Sequence, residues 1–253
     1  MMKKLTTIIL ALVLIACLGT PTQGAGFITK KYYVDDSGNI IKGYKKINGD
    51  KYYFNKQNGE FEGRIMKITY INQSKGVRKN KKWKNTGFCK TRTRTGKTIA
   101  MAGCGITSCA MAITALRGKL TLPTKFNSAK YGFNGKGSNW NVGLLTAKKY
   151  KLKAKVRSLS KNQAKQQILK GRFILVWVTN SIYGGGGNTS GGDVGHGGGH
   201  FVLIHGYRGG KFAVADPNNL SQTYVWSKKL QTWESFADHL GNGKSKSFTV
   251  IWK

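Results

Sequence analysis

The sequence predicts an α+β fold with an antiparallel sheet, because helical periodicity comes first, strand-like runs follow it, and no βαβ alternation joins the two. Residues 105–117 place Ile106, Cys109, Ile113 and Leu116 at helical spacing with alanines between them, and Gly118 supplies a stop. Residues 144–150 and 161–170 predict two more helices, the second opened by Ser160 as N-cap. Strands are expected at residues 173–179, 201–207, 211–215 and 224–226. Ser227 heads an expected helix through Leu240, and residues 247–252 form a last strand.

Ahead of this region the chain divides into three stretches. Residues 1–25 have the layout of a signal peptide: Lys3 and Lys4, then an apolar or hydroxyl run from Leu5 to Leu18, then Pro21 and Gly24. The run is shorter than the ~20 residues a helix needs to cross a bilayer, and no later segment is long and apolar enough, so no transmembrane span is expected. Secretion is the expectation. Leu14-Ile15-Ala16-Cys17 also reads as a lipoprotein signal, which leaves a lipid anchor through Cys17 as the alternative.

Residues 26–63 contain an internal repeat, in which Lys31-Tyr32-Tyr33 through Gly43 recurs twenty positions on as Lys51-Tyr52-Tyr53 through Gly63. Each copy joins an aromatic strand to a polar turn, Asp35-Asp36-Ser37-Gly38 or Gln57-Asn58-Gly59, which predicts β-hairpins. These residues resemble the cell-wall-binding repeats of the choline-binding and glucan-binding type, and the resemblance implies Tyr32, Tyr33, Tyr44, Tyr52 and Tyr53 as wall-ligand candidates. A plain hairpin spacer with solvent-facing tyrosines is the competing reading. Residues 64–96, rich in Lys, Arg, Thr and Asn, read as a basic connector, and residues 97–253 as the main domain.

The chain carries 43 Lys+Arg against 9 Asp+Glu, a formal charge of +34 spread along its length. Such a field gathers polyanions at the surface. Anionic cell-wall polymers are the expected partners of an exported protein, and nucleic acid is expected to bind only non-specifically. Cys89 and Cys109 are the pair expected if a disulfide forms, which leaves Cys104 free.

Three short segments carry chemistry. Gly103-Cys104-Gly105 opens a predicted helix, Gly199-His200-Phe201-Val202 opens a strand, and Ala215-Asp216-Pro217-Asn218 ends the next one. A thiol at a helix N-terminus meets the positive end of the helix dipole and unpaired amides, which stabilise the thiolate and can receive an oxyanion. The flanking glycines are expected to let a substrate backbone approach the sulfur. Arg208-Gly209-Gly210 returns the chain as a hairpin, which brings Asp216 toward His200 and lets a carboxylate fix the imidazole tautomer.

Together with Ile106-Thr107-Ser108-Cys109-Ala110-Met111 and Leu203-Ile204-His205-Gly206-Tyr207, these segments resemble the peptidase domain of bacteriocin-processing, double-glycine-leader cysteine peptidases. The resemblance covers roughly residues 97–219. It implies a papain-like cysteine peptidase domain, an N-terminal helix bearing the cysteine on an antiparallel sheet, with a small β-hairpin repeat module ahead of it. Cys104 is then the nucleophile, His200 the base and Asp216 its orienting residue, with no cofactor and no metal. Leader-processing members carry Gln six residues before the nucleophile, where this chain has Thr98. Thr98, Gly103, Gly105 and Trp140 are therefore the oxyanion and cleft candidates.

The expected activity is hydrolysis of peptide or amide bonds by a monomeric, secreted thiol peptidase associated with the cell wall, acting on peptide or peptidoglycan-type substrates. The alternative is a catalytically silent binder of wall or polyanion built on the same fold. The glycine-dense stretch 183–199 reads either as a lid or as an insertion, and its Asp193 and His196, with His200, offer a weak metal alternative.

Overall fold

A computed structural model of the chain describes residues 25–80, 82–84, 86–178, 200–218, 230–233 and 247–253. The leader with Cys17, the 183–199 stretch and the expected strand at 224–226 lie outside the described residues. The chain forms two compact units, residues 1–45 with 53–62, and residues 46–52 with 63–253.

In the first unit, β1 (Gly26–Ile28) and β2 (Tyr32–Val34) form an antiparallel hairpin with Phe27 opposite Tyr33. Its turn, Thr29 to Lys31, puts Thr29 and Lys30 both at positive φ, and the Lys31 amide donates to Ile28 O at 3.3 Å. β3 (Gly43–Ile47) and β4 (Asp50–Phe54), each divided between the two units, are linked through Asn48 and Gly49 of the second, also both at positive φ. Two turns twenty positions apart are alike. Asp35 Oδ1 accepts the amides of Ser37 and Asn39, and Asn55 Oδ1 accepts those of Gln57 and Asn58. Phe27, Tyr33, Phe54 and Phe61 pack as one aromatic cluster.

The second unit is built on an antiparallel sheet. β5 (Phe61–Ile65) pairs through Arg64 and Ile65 with the far end of β11, introduced below. Residues 64–96, expected to be a connector, are instead part of the body: β6 (Ile71–Asn72), β7 (Gly76–Lys79) and β8 (Lys82–Lys84) form a small sheet. Met66, Ile71, Val77, Phe88 and Cys89 enter the main core. These apolar residues are scattered among basic and polar ones, so no periodicity announces them.

A short helix α1 (Ile99–Ala102) leads into α2 (Cys104–Arg117), which ends at Gly118 in the left-handed conformation expected of a stop. α2 is buried on nearly every side, Ile106, Cys109, Ala110, Met111, Ala112 and Ile113 having no exposed surface. α3 (Val142–Lys149) and β9 (Lys153–Arg157) follow. Then comes α4 (Lys161–Leu169), which Ser160 and Gln163 open with a reciprocal capping box. β10 (Phe173–Val178), β11 (His200–Arg208), β12 (Lys211–Ala215), β13 (Leu230–Gln231) and β14 (Phe248–Trp252) complete the fold.

β11 pairs with β10 and β12, β10 with β14, and β14 with β9, all antiparallel. β10 and β11 are buried along most of their length, as strands covered on both faces must be. β13 replaces part of the helix expected from Ser227, because Leu230 and Gln231 pair with Ala213 and Phe212 on β12. β9 is the strand that the sequence reading missed. Its Lys153, Lys155 and Arg157 alternate with Ala154 and Val156, and charge of this kind protects an edge strand from further pairing.

Gly143 on α3 lies so close to β14 that a Cβ there would sit 2.8 Å from Thr249 Cγ2 and 3.2 Å from Leu175 Cδ2. Gly143→Ala is expected to destabilise the unit by about 1–3 kcal/mol through overpacking, read from the shift of the denaturant midpoint at unchanged slope.

Candidate active site

Cys104 is the first residue of α2, so its thiol lies at the end of a 14-residue helix where the first amides have no intrahelical partner. Both flanking glycines are required by packing. A Cβ on Gly103 would meet Ile99 O and Ile99 Cγ2 at 2.5 Å, and one on Gly105 would meet Ser138 Oγ at 2.3 Å and Phe201 Cδ2 at 3.1 Å. The expectation that these glycines open a path to the sulfur is therefore corrected: the space beside them is filled by the protein itself.

His200 begins β11, opposite Val178 of β10. The β11–β12 hairpin closes between Arg208 and Lys211 through Gly209 and Gly210, both at positive φ. It brings Ala215 opposite Leu203, so Asp216 emerges just beyond the strand and close to the start of β11. His200 Nε2 and Asp216 Oδ1 are 2.8 Å apart, with side-chain exposures of only 2% and 0%. The Asn218 amide also donates to Oδ1, at 2.8 Å. With Nε2 engaged by the carboxylate, Nδ1 is left for the thiol of Cys104, to which His200 is hydrogen-bonded.

Burial pushes the Cys104 thiol up, but the hydrogen bond and charge of His200, helped by the Phe201 and Gly105 backbone, outweigh it and lower its pKa. For His200, burial acts downward, while the charge and hydrogen bond of Asp216 and the contact with Cys104 raise its pKa to about 10. Both shifts favour the same charged pair, a thiolate beside an imidazolium.

Helix and strand are also tied together directly. Ser108, one turn beyond Cys104, is fully buried and donates its hydroxyl to Phe201 O at 3.1 Å, next to His200. A second set of bonds comes from residues 70–73. Tyr70 donates its hydroxyl to Asp216 O, the Gln73 amide donates to Pro217 O at 2.7 Å, and Gln73 Nε2 donates to Ala100 O at 2.7 Å. This segment therefore joins the loop that carries Asp216 to the turn that precedes Cys104. The sequence reading missed Tyr70 and Gln73, because backbone carbonyl acceptors leave no residue signature. Burial, and then the charge of Asp216, raise the pKa of Tyr70, which keeps its hydroxyl a donor.

Residues 65–240 match the model of the Peptidase_C39 like family. The chain belongs to that family. Membership implies a cysteine peptidase and a peptide substrate. Among solved structures, a C39-like peptidase from Bacillus anthracis is similar, with 19% identity over 60% of this chain and 89% of that one, at a TM-score of 0.39. A double glycine motif protease from an AMS/PCAT transporter, solved with its leader peptide, is similar with 19% identity over 59% of this chain and 81% of that one, at a TM-score of 0.36. No curated protein matches the chain.

The remaining candidates of this C39-like chain are more dispersed. Thr98 stands at the N-cap of α1 without a side-chain capping bond, six residues before Cys104. Trp140 is half-buried in the turn ahead of α3, two residues beyond the Ser138 that packs on Gly105. Of the tyrosines, Tyr33 and Tyr52 are buried, the first in the aromatic cluster and the second beneath the Arg64 guanidinium at 5.0 Å. Tyr32 is half-buried, and Tyr44 and Tyr53 lie ring to ring at 5.6 Å, with Tyr44 exposed. The five therefore do not form one ledge.

Cys89, Cys104 and Cys109 are all free thiols, so the Cys89–Cys109 pairing is not formed. Burial pushes Cys109 up to about 12, which leaves it a protonated core residue. His205 donates Nδ1–H to Met66 O at 2.9 Å and is held neutral chiefly by burial. Asp193 and His196 of the metal alternative lie outside the described residues. No helix among the described residues is long and apolar enough to cross a membrane.

Ser108→Ala breaks the hydroxyl tie to Phe201 O and leaves that buried carbonyl short of a donor. The expected result is a loss of about 1–3 kcal/mol of stability in denaturant unfolding, with slower alkylation of Cys104 at neutral pH.

Proposed function

We propose that this chain is an exported cysteine peptidase in which Cys104, His200 and Asp216 act as nucleophile, acid–base and orienting residue. The observation that carries the reading is the buried His200–Asp216 pair, hydrogen-bonded onward to a thiol whose pKa is lowered at a helix N-terminus. The thiolate attacks the carbonyl carbon of a peptide bond, and the oxyanion formed is received by amides of the first turn of α2. With Thr98 at the position where leader-processing relatives carry Gln, these amides bear most of that charge. The imidazolium gives its proton to the leaving amine, and the carbon–nitrogen bond breaks to leave a thioester. His200 then takes a proton from water, the hydroxide displaces the thiolate, and the carboxylic acid departs. Asp216 keeps the ring oriented in both halves of the cycle and stays ionised.

For the substrate we favour peptides of the cell surface, including the stems or bridges of peptidoglycan, reached by a monomer exported through residues 1–25. Residues 26–63 serve in this reading as a wall-attachment module, with exposed Tyr44, its ring neighbour Tyr53 and half-buried Tyr32 as contacts. The formal charge of +34 supports association with anionic wall polymers. The catalytically silent alternative has Thr98 in its favour. The thiol chemistry below decides between the two.

Iodoacetamide labelling of the mature protein from about pH 4 to about pH 10, with the modified cysteine located by peptide mass, is the direct test. Cys104 is expected to react well below the free-thiol pKa of ~8.5 and ahead of Cys89 and Cys109, and to lose that advantage in His200→Ala. Slow, equal labelling of all three cysteines would sink the active-peptidase reading.

The rate profile follows from the same shifts. Activity should rise on the acid side as Cys104 ionises below its ordinary range. It should fall as pH climbs toward about 10, where His200 loses the proton the leaving amine needs. A basic limb centred instead near the free imidazole value of ~6.5 would contradict the assignment of His200.

A further inference from the structure

The second unit has a hollow of about 390 Å³ at the end of α2 remote from the thiol, where Leu116 forms part of the wall. Leu116 lies twelve residues along the helix from Cys104, which at 1.5 Å per residue puts the two about 18 Å apart. Among the described residues Asp50 is the only acidic side chain lining the hollow, and both of its oxygens are engaged. Oδ2 accepts from Arg64 Nε at 3.0 Å and Nη2 at 2.7 Å, and Oδ1 accepts the Lys67 amide at 2.8 Å. Arg64 therefore cancels Asp50. Lys67, Lys170, Arg172 and Lys253 remain around one concavity with no carboxylate side chain to balance them. Lys67, Lys170 and Lys253 are exposed, while Arg172 is held flat over the Trp252 ring at 4.5 Å and donates to Gln167 Oε1 at 3.0 Å.

We propose that this hollow is a binding site for the phosphodiester groups of a polyol-phosphate chain. Four cations facing one hollow carry a mutual repulsion that an anion relieves, and a guanidinium held by Trp252 and Gln167 with exposed ammonium groups around it suits a tetrahedral phosphate. The choice of polymer follows from the aromatic ring. Trp252 is the one aromatic side chain in the lining besides Phe173, which is buried, and its face carries Arg172. No open ring is offered for a nucleobase to stack on, which is the contact that single-stranded nucleic acid draws on. A chain of phosphates joined by small polyols needs only the cations. The inference deepens the wall-polymer part of the function proposed above and is independent of the thiol chemistry.

Its test compares binding of a poly(glycerol phosphate) chain with that of single-stranded DNA of matched charge, in the full chain at several salt concentrations. Lys67→Gln with Lys170→Gln should weaken binding of the polyol phosphate about tenfold at low salt and make the plot of log affinity against log salt shallower by about one to two. The control pair Lys119→Gln with Lys136→Gln removes the same charge from exposed positions outside the hollow, and should weaken binding less than about twofold. Lys253→Gln is an independent single variant expected to move in the same direction as the first pair. Equal losses in the two double variants would overturn the proposal and assign the affinity to net charge. DNA bound more tightly than the polyol phosphate, and released by the hollow variants, would overturn it in favour of a nucleic-acid site. Iodoacetamide labelling of Cys104 should keep its wild-type rate in all these variants, so failure of this site and failure of the peptidase reading are told apart.

Discussion

A carboxylate with no solvent exposure cannot stand alone in a protein interior, and much of the second unit is arranged around that constraint at Asp216. One of its oxygens accepts both the His200 ring and the Asn218 amide. The main chain on either side of the carboxylate is held as well, by Tyr70 at Asp216 and by Gln73 at Pro217. Because the ring presents Nε2 to the carboxylate, Nδ1 is the nitrogen left for Cys104. The same low-dielectric surroundings strengthen the attraction between thiolate and imidazolium once both exist.

The sheet and the helix contribute different kinds of precision. β11 and β12, joined by a two-glycine turn, set where the base and its partner stand along the strands. α2 sets where the thiol stands, and its all-round burial prevents it from sliding. Ser108 fastens one to the other through Phe201, which also packs against Gly105. The site is thus assembled from regular elements and short hydrogen bonds between them, a construction that fixes Cys104, His200 and Asp216 relative to one another. Charge on the outside acts over a longer range and independently of this geometry.

Much of the fold was legible in the sequence because its central elements are strongly patterned. α2, α4 with its Ser160 cap, and β10 through β12 are found within a residue or two of where periodicity and turn residues put them. The grouping of Cys104, His200 and Asp216 was legible because each stands at the end of an element, where a short hairpin and a helix start dictate proximity. Three things were not. β9 hides its pairing behind alternating basic side chains, the 64–96 stretch contributes its core residues one at a time, and Leu230–Gln231 takes the strand conformation offered by β12 over its own helical pattern. Gly103 and Gly105 were read as openings because a sequence shows the missing side chain and not the neighbour that fills its place.

The bonds from Tyr70 and Gln73 bear on how such a chain can be shuffled in evolution. A gene fusion that joined a new segment at residue 97 would respect the visible boundary in composition, yet it would discard the donors that hold the Asp216 loop and the turn before Cys104. Crossovers upstream of residue 63 keep those donors with the sheet they serve. The lysine-rich stretch that looks like a dispensable spacer therefore cannot be exchanged without losing the donors that hold the Asp216 loop.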